Sequence, residues 1–394
     1  MQINNEYLPV NWVDGMKINK SHFIAQDNAF TYRQAQTVQS FLNEHNYGLL
    51  PVFDRFHTSA KLFLSLDNEQ TVHLRIQRCR AITPGGYVIT FDTDTALTGQ
   101  TLAVQVPGLQ VPFSELKDRS HKYYVVLSVH PFERVPFGTA DPKETPPRLP
   151  HIMPSYHLSL LPVEETTHLS LGQFQVPVGM VEVEEQLVRL VEHYIPPCTA
   201  VNSHYELLEV HAGLEQFFGQ MELYALQIIQ KILQKKQQND LADAIYRISK
   251  NITLFTATEY THFKLSYIYQ PPVFMVTAVA GLARMIKNTM DYYAGTSKDE
   301  LVSYCTEWCG VSQGELEGSI INVCNYRYNH LVINDALDQV LQFTQIISAL
   351  FANLARLEYI GKKKETGIFV KEQILVPQTD QAAMAKKRRS FLAD

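Results

Sequence analysis

The hydrophobic pattern of the chain changes near residue 200, and this change constrains the fold more than any other feature. Before it, apolar and polar residues alternate, as at 72–76, or form short β-branched and aromatic runs, as at 87–91 and 123–127. After it, apolar residues recur at spacings of three and four. Alternation is typical of strands and the longer spacing of amphipathic helices. The sequence therefore predicts an α+β protein of several domains, with an N-terminal β-sandwich followed by helices.

Turn-forming residues separate the predicted strands. Pro84, Gly85 and Gly86 indicate a hairpin turn. The proline-rich segment 141–154 predicts an extended, exposed loop. Residues 21–46 are the exception in this half, because they contain few helix breakers and predict a helix ahead of the first sheet.

The second half begins with a predicted helix start and a long apolar seam. Ser203 and Glu206 have the spacing of a capping box. The seam that follows consists of Leu207, Val210, Leu214, Phe217, Met221, Tyr224 and Ile228. Such a seam is buried inside a helical bundle or between subunits, and the sequence leaves both open. Further helices are predicted over 241–263, from the Pro271–Pro272 pair onward, and up to Gly361.

These patterns divide the chain into three predicted domains. Residues 1–200 form a β-rich domain with an early helix, and 203–294 form a helical bundle. Residues 295–394 form a mostly helical C-terminal domain with a basic tail. The tail ends in a cluster that predicts either a solvated end or a docking arm: Lys386, Lys387, Arg388 and Arg389.

Charge and cysteine content narrow the class of protein. The net charge of -6 in 394 residues gives no support for a nucleic-acid partner. Five cysteines form no disulfide framework and favour a reducing compartment. The N-terminus does not have the pattern of a signal peptide, and no apolar stretch approaches the roughly 18 residues of a membrane span. We therefore expect a cytoplasmic protein.

Two motifs of common enzyme classes are missing from the sequence, because there is no phosphate-binding P-loop and no H-E-x-x-H. The letters G-x-S-x-G do occur, at residues 310–314, but the hydrolase elbow places its serine between a strand and a helix, and this region is predicted to be helical. Cys305 and Cys309 share a helical face, with His330 downstream, and would suit a metal-dependent hydrolase. Buried free cysteines are the favoured interpretation. The sequence predicts no catalytic, cofactor or metal site.

The most specific motif lies near the N-terminus. Its matching residues are Trp12, Asp14, Gly15, Met16, His22, Phe23 and Asp27. They fit the pattern W-x-[ED]-G-M-x-L-x-P-x-H-F-x-x-x-D, except that Ile18 stands at the leucine and Lys20 at the proline. This segment resembles the opening signature of TssK (also ImpJ or VasE), a baseplate family of type VI secretion systems.

Two weaker similarities to the same family follow in order. Residues 194–198, with the sequence YIPPC, resemble a strand end before the family's helical domain. Residues 271–283 resemble a family helix with the pattern L-x-G-x-L-A. After about Gly295 the chain departs from the mixed α/β head that the family would have there.

The resemblance implies a structural function and a set of protein partners. It implies a homotrimer that binds the baseplate wedge proteins TssF, TssG and TssE through the N-terminal motif residues. It also implies contact with the membrane-anchored complex through the C-terminal region, at the periphery of the inner membrane. The alternative for Trp12, Met16 and Phe23 is that they fasten the N-terminal segment to its own sheet. The alternatives for the whole chain are a phage-type tail or receptor-binding protein, and the metal-dependent hydrolase.

Overall fold

The computed structural model describes residues 7–51, 58–93, 108–117, 119–167, 170–185 and 187–361. The predicted early helix is present. Helix α1 spans Lys20–Gln39. It starts where the sequence predicts, but it ends seven residues before the predicted boundary. The amide of Asn43 donates to the side chain of Asn46, which in turn donates to the carbonyl of Phe41. These local bonds compete with helical ones and end the helix.

Nine strands in the described residues form two antiparallel sheets. The strands are β1 (Gly48–Leu49), β2 (Ala60–Leu66), β3 (Thr71–Ile82), β4 (Val88–Asp92), β5 (Leu109–Pro112), β6 (Lys122–Phe137), β7 (His151–Pro162), β8 (Gln175–Val183) and β9 (Val188–Leu190). In the first sheet β3 pairs with β1, β2, β4 and β5. The second sheet has the order β7-β6-β8-β9. A short helix α2, Phe113–Lys117, follows β5.

The two sheets pack against each other through buried side chains. Leu62 of β2 lies against Gly179 of β8, and the rings of Phe91 and Tyr156 are 5.1 Å apart. The predicted turn at Pro84–Gly86 connects β3 and β4 and is confirmed. The predicted loop at 141–154 is too long, because its last four residues pair with β6 as the start of β7.

Six longer helices complete the described chain. They are α3 (Tyr205–Gln234), α4 (Asp240–Ser266), α5 (Val273–Asp291), α6 (Lys298–Cys309), α7 (Gln313–Asn325) and α8 (Ile333–Arg356). The α+β class, with N-terminal sheets before helices, is therefore confirmed. The predicted helices at 241–263 and after Pro272 correspond to α4 and α5.

The predicted capping box at Ser203 and Glu206 is wrong. Helix α3 starts at Tyr205, and its N-cap residue His204 makes no side-chain cap bond. Ser203 instead ends a short 3-10 turn, Val201–Ser203, and Glu206 binds the ring of His193 at 2.9 Å. Other side chains thus contact both predicted capping residues, since the hydroxyl of Ser203 lies 3.4 Å from that of Thr199.

A dense junction joins the sheets to the helices. Gly48 has a φ of +110°, and a Cβ there would stand 1.9 Å from the carbonyl oxygen of Pro197. The hydroxyl of Tyr194 donates to the carbonyl of Leu331 at 3.1 Å, and Asn334 accepts from the amide of Ile195 at 2.9 Å. The YIPPC segment, residues 194–198, is thus buried at the junction between the sheets and the helices.

Buried apolar residues run without interruption from the sheets into the helices. One cluster extends from Leu49 to Ile360 and includes residues of both sheets and of α3 to α8. The described residues up to Ile360 accordingly form one compact unit. The division into domains at 1–200, 203–294 and 295–394 stays a prediction.

Candidate partner-binding site

The N-terminal segment exposes an unusual amount of apolar surface. Helix α1 buries only Ala29 and Ala35, although it is 20 residues long. Large apolar side chains in and around it are 45% to 76% exposed: Leu8, Trp12, Val13, Ile18, Phe23, Phe30 and Phe41. Scattered exposed apolar residues are ordinary, but a run concentrated in one segment indicates a binding surface.

Helix α1 is fixed to the sheets by close backbone approach. The β3–β4 turn contacts it at Gly86, where a Cβ would stand 2.2 Å from the carbonyl oxygen of Ala35. Only glycine permits this approach, and its φ of +82° also favours glycine. This backbone contact holds the helix in place, although the helix buries only two alanines and leaves its outer side exposed.

Motif residue Gly15 shapes the turn that leads into α1. The amide of Met16 donates to the carbonyl of Val13 at 3.2 Å, and Gly15 has a φ of +76°. A positive φ at the third position of a β-turn strongly favours glycine. Met16 itself is half-buried, whereas Asp14 is exposed.

Motif residue His22 caps the helix. Its Nδ1 accepts from the amide of Asn19 at 3.3 Å, and the side chain of Asn19 accepts from the amide of Ser21 at 3.0 Å. The two side chains form a reciprocal capping box. His22 therefore has a structural role at the helix start.

Motif residue Asp27 is paired within the chain. Arg134 of β6 lies 3.4 Å from its carboxylate and donates to Asn28 at 2.9 Å and to the carbonyl of Ile24 at 3.4 Å. The long β6–β7 hairpin is thereby attached to one side of α1. Asp27 contributes to holding the surface in place rather than to its apolar area.

Trp12 and Phe23 are the exposed aromatic residues of the motif. Their ring centroids are 6.2 Å apart, and the Trp12 ring also lies 6.1 Å from the ring of His22. Trp12 is 45% exposed and Phe23 59% exposed. The seven predicted residues thus include this exposed aromatic pair, the exposed Asp14, and a supporting group that orders the segment, namely Gly15, His22 and Asp27.

The motif did not identify all of this surface. Phe30 lies seven residues after Phe23 on the same helix, and Phe41 follows the helix end; they are 54% and 76% exposed. Residues seven apart lie on nearly the same side of a helix. That spacing was visible in the sequence, but exposure depended on which face the sheets would cover.

The predicted oligomerisation or bundle seam closes inside the chain. The seam lies on the side of α3 that packs against α4 and α8. Its buried residues are Leu207, Leu214, Phe217, Met221 and Ile228, whereas Val210 and Tyr224 are half-buried. These residues do not form a free surface for another subunit. The basic cluster Lys386, Lys387, Arg388 and Arg389 lies outside the described residues.

The cysteines do not assemble with His330. Burial raises the pKa of the Cys305 thiol to about 12, with a smaller contribution from Cys309. The ring nitrogens of His330 contact the carbonyl of Tyr47 at 2.9 Å and the hydroxyl of Tyr328 at 3.0 Å. Within the described ranges, no group of three His, Cys, Asp or Glu residues has the arrangement of a metal site. Among the helices described there, none is long and apolar enough to cross a membrane.

Similarity to known proteins appears at the level of structure. No protein-family model matches the chain, and no curated protein does. The chain is similar to a solved structure described as "Crystal structure of TssK", with 13% identity and a TM-score of 0.48, over 86% of this chain and 68% of that one. It is similar to a chain of "The baseplate complex from the type VI secretion system" with 14% identity and a TM-score of 0.48, covering 87% and 99%.

A third similar structure contains the family named above together with two other proteins. It is the "type VI secretion system TssK-TssF-TssG baseplate subcomplex", matched at 14% identity with a TM-score of 0.47, over 86% of this chain and 98% of that chain. The family in these descriptions is the one that residues 12–27 resemble.

Proposed function

We propose that this chain is a structural, non-enzymatic subunit of a type VI secretion baseplate. It binds the wedge proteins TssF, TssG and TssE through the exposed surface of residues 8–41, which we call the N-terminal aromatic surface. The observation that supports this most directly is the exposed Trp12–Phe23 pair within the motif that resembles the family.

The energetics favour a protein partner. Burying a large apolar side chain contributes about 1.5–3 kcal/mol. Aromatic residues also dominate the energy of protein interfaces, with Trp the most enriched among them. A surface that holds Trp12, Phe23 and Phe30 therefore offers several kcal/mol to any partner that covers it.

The supporting group makes the surface rigid before binding. The turn at Gly15 and the cap at His22 order the segment locally, and the Arg134 contacts attach it to β6. A preformed surface loses less conformational entropy when a partner docks, so more of the contact energy is available as affinity.

The remaining parts of the proposal concern assembly. We propose that the subunit acts in the cytoplasm as a homotrimer, so that several modest contacts act together and raise the avidity for the wedge. The C-terminal region, including the basic tail, is proposed to contact the membrane-anchored complex at the inner membrane.

The test is a double substitution, Trp12→Ala with Phe23→Ala. We expect the affinity for a purified TssF–TssG wedge to fall about 100-fold or more, because two aromatic contacts of about 2 kcal/mol each are removed. Binding is measured by biolayer interferometry with the full chain immobilised.

Two controls make the result specific. Tyr269→Ala removes a ring that is 67% exposed but lies before α5, and it should leave the affinity unchanged. Circular dichroism should show that the double variant remains folded. A folded double variant that still captures the wedge with unchanged affinity would rule out this surface as the docking site.

A further inference from the structure

The β6–β7 hairpin continues beyond the second sheet as a two-stranded arm. Strand β8 pairs with β6 only over residues 122–128, whereas β6 and β7 remain paired as far as Phe137 and His151. Within the described residues, no third strand pairs with the distal part, residues 134–137 and 151–154, which we call the hairpin arm. A two-stranded ribbon is marginally stable in water by itself, so other contacts must hold the base of the arm.

The base of the arm is anchored to the N-terminal segment. The register between β6 and β7 shifts between His130 and Arg134, which marks a bulge in β6. Phe132, within this bulge, stacks on the ring of Tyr7 with 3.8 Å between the ring centroids. Arg134 donates to Asn28 of α1 at 2.9 Å. The arm is therefore fixed at the point where it leaves the sheet.

The loop at the tip of the arm is closed by local contacts. A Cβ at Gly138, which has a φ of +102°, would stand 3.2 Å from the ring of Pro150, so the two ends of the loop lie against each other. The side chain of Asp141 accepts from the amide of Lys143 at 2.9 Å, and its carbonyl accepts from the amide of Glu144 at 3.1 Å. The loop thus has a defined shape on a fixed base.

The second half of this loop is exposed and rich in proline. Residues 145–150 have the sequence TPPRLP, and all six are exposed, with Leu149 at 43%. We call residues 146–150 the proline segment. Its three prolines fix φ at about −65°, and a residue that precedes a proline avoids the helical region. The segment is therefore held extended before any partner binds, with an apolar side chain exposed between its prolines.

An extended proline-rich segment has a known mode of recognition. In the polyproline II conformation the backbone makes no internal hydrogen bonds, so its carbonyls are free to accept from a partner. Grooves lined by aromatic side chains bind such segments, because flat rings pack against proline rings. The segment also loses little conformational entropy on binding, since its prolines already restrict it.

The charges of the loop select this occupant over others. Asp141 and Glu144 balance Lys143 and Arg148, and Glu144 pairs with Arg148 at 2.7 Å. A membrane surface or a nucleic acid would favour an excess of basic residues here. An aromatic groove requires no net charge, and the side chain of Arg148 is 67% exposed, so an acidic group at the rim of a groove can reach it.

We infer that the proline segment docks into an aromatic-lined groove of a protein other than this chain. The contact lies outside residues 8–41 and goes beyond the proposed function, because it adds a second recognition site at the tip of the hairpin arm. The partner is defined by its groove, and the inference does not require that it be a wedge protein.

The first test is photocross-linking of the full chain in cells of its native host. A photoreactive p-benzoylphenylalanine in place of Thr145, next to the proline segment, should form an adduct with another protein on irradiation. Mass spectrometry should locate the adduct beside tryptophan, tyrosine or phenylalanine residues of that protein. The same probe in place of Tyr269, a ring that is 67% exposed, should not form this adduct.

The second test asks whether the proline segment carries the recognition. Pro147→Ala with Leu149→Ala, in the chain that bears the probe, should lower the adduct yield about tenfold or more, because the partner loses an apolar contact and must order a freer backbone. Pro142→Ala is the matched control, since Pro142 is an exposed proline of the same loop outside the segment, and it should leave the yield unchanged.

Three results would overturn the inference. They are the absence of an adduct from position 145, an adduct only with another copy of this chain, and an adduct whose yield survives the Pro147→Ala and Leu149→Ala substitutions. Circular dichroism should show that these variants remain folded, because the substituted positions are exposed. The wedge affinity of the Trp12→Ala and Phe23→Ala variant tests the proposed function separately, so either proposal can fail alone.

Discussion

At the scale of the residue, single backbone positions decide where elements meet. Gly48 and Gly86 both have positive φ, and both let backbone approach so closely that no side chain fits. The first joins β1 to the segment before α3, and the second joins the β3–β4 turn to α1. Neither contact follows from local propensity, because glycine at both sites also suits an ordinary turn.

The consequence is testable at Gly48. Gly48→Ala should lower the free energy of unfolding by about 3 kcal/mol or more, since strained backbone and overpacking each cost about 1–3 kcal/mol. Urea denaturation followed by circular dichroism measures the change. Gly318→Ala is the matched control, because its Cβ meets open space within α7 and should stabilise by about 0.5–1 kcal/mol. Equal stability of the two variants would contradict the role of Gly48.

At the scale of the element, helix ends are held by neighbouring helices. The last carbonyls of a helix have no partner within it. At the end of α8 the ammonium of Lys231 binds two of them, at Ala355 and Leu357. Lys235 adds an ion pair to Glu358 at 2.9 Å. Helix α3 thus fixes the point at which α8 ends.

Removing this cap should weaken the whole bundle. Lys231→Met keeps most of the side-chain volume but leaves two carbonyls without a donor, so we expect a loss of about 1–3 kcal/mol in the free energy of unfolding. Lys250→Met, at an exposed position of α4, should change it by no more than about 0.5 kcal/mol. If both substitutions have the same effect in urea, the cap contributes nothing.

At the scale of the whole molecule, the sheets and helices share one core. The buried cluster is continuous, and the contacts of Tyr194, Ile195 and His330 connect the two halves. Two parts that share a core and a dense polar junction should lose their structure together.

We therefore expect one cooperative unfolding transition for residues 1–360. Far-UV circular dichroism reports chiefly on α3 to α8, and amide hydrogen exchange in β6 and β8 across the same urea series reports on the sheets. The two midpoints in urea should coincide. Separate midpoints would instead support independent domains with boundaries near residues 200 and 295.

The sequence by itself determined the class of the fold and most of its elements. The change in the spacing of apolar residues near residue 200 predicted sheets before it and helices after it, because this spacing follows directly from backbone geometry. The N-terminal motif also located the segment that carries Trp12 and Phe23. These signals are local in sequence, so they can be recognised without knowing which distant residues pack against them.

Tertiary structure alone decided which faces are covered. Leu207, Leu214 and Ile228 lie on the same helix as Leu223 and Leu226, and only packing shows that the first three are buried and the last two exposed. In the same way, only the structure shows that Arg134 of β6 lies 3.4 Å from the carboxylate of Asp27 on α1. Burial and ion pairing depend on residues distant in sequence, so no local pattern can assign them.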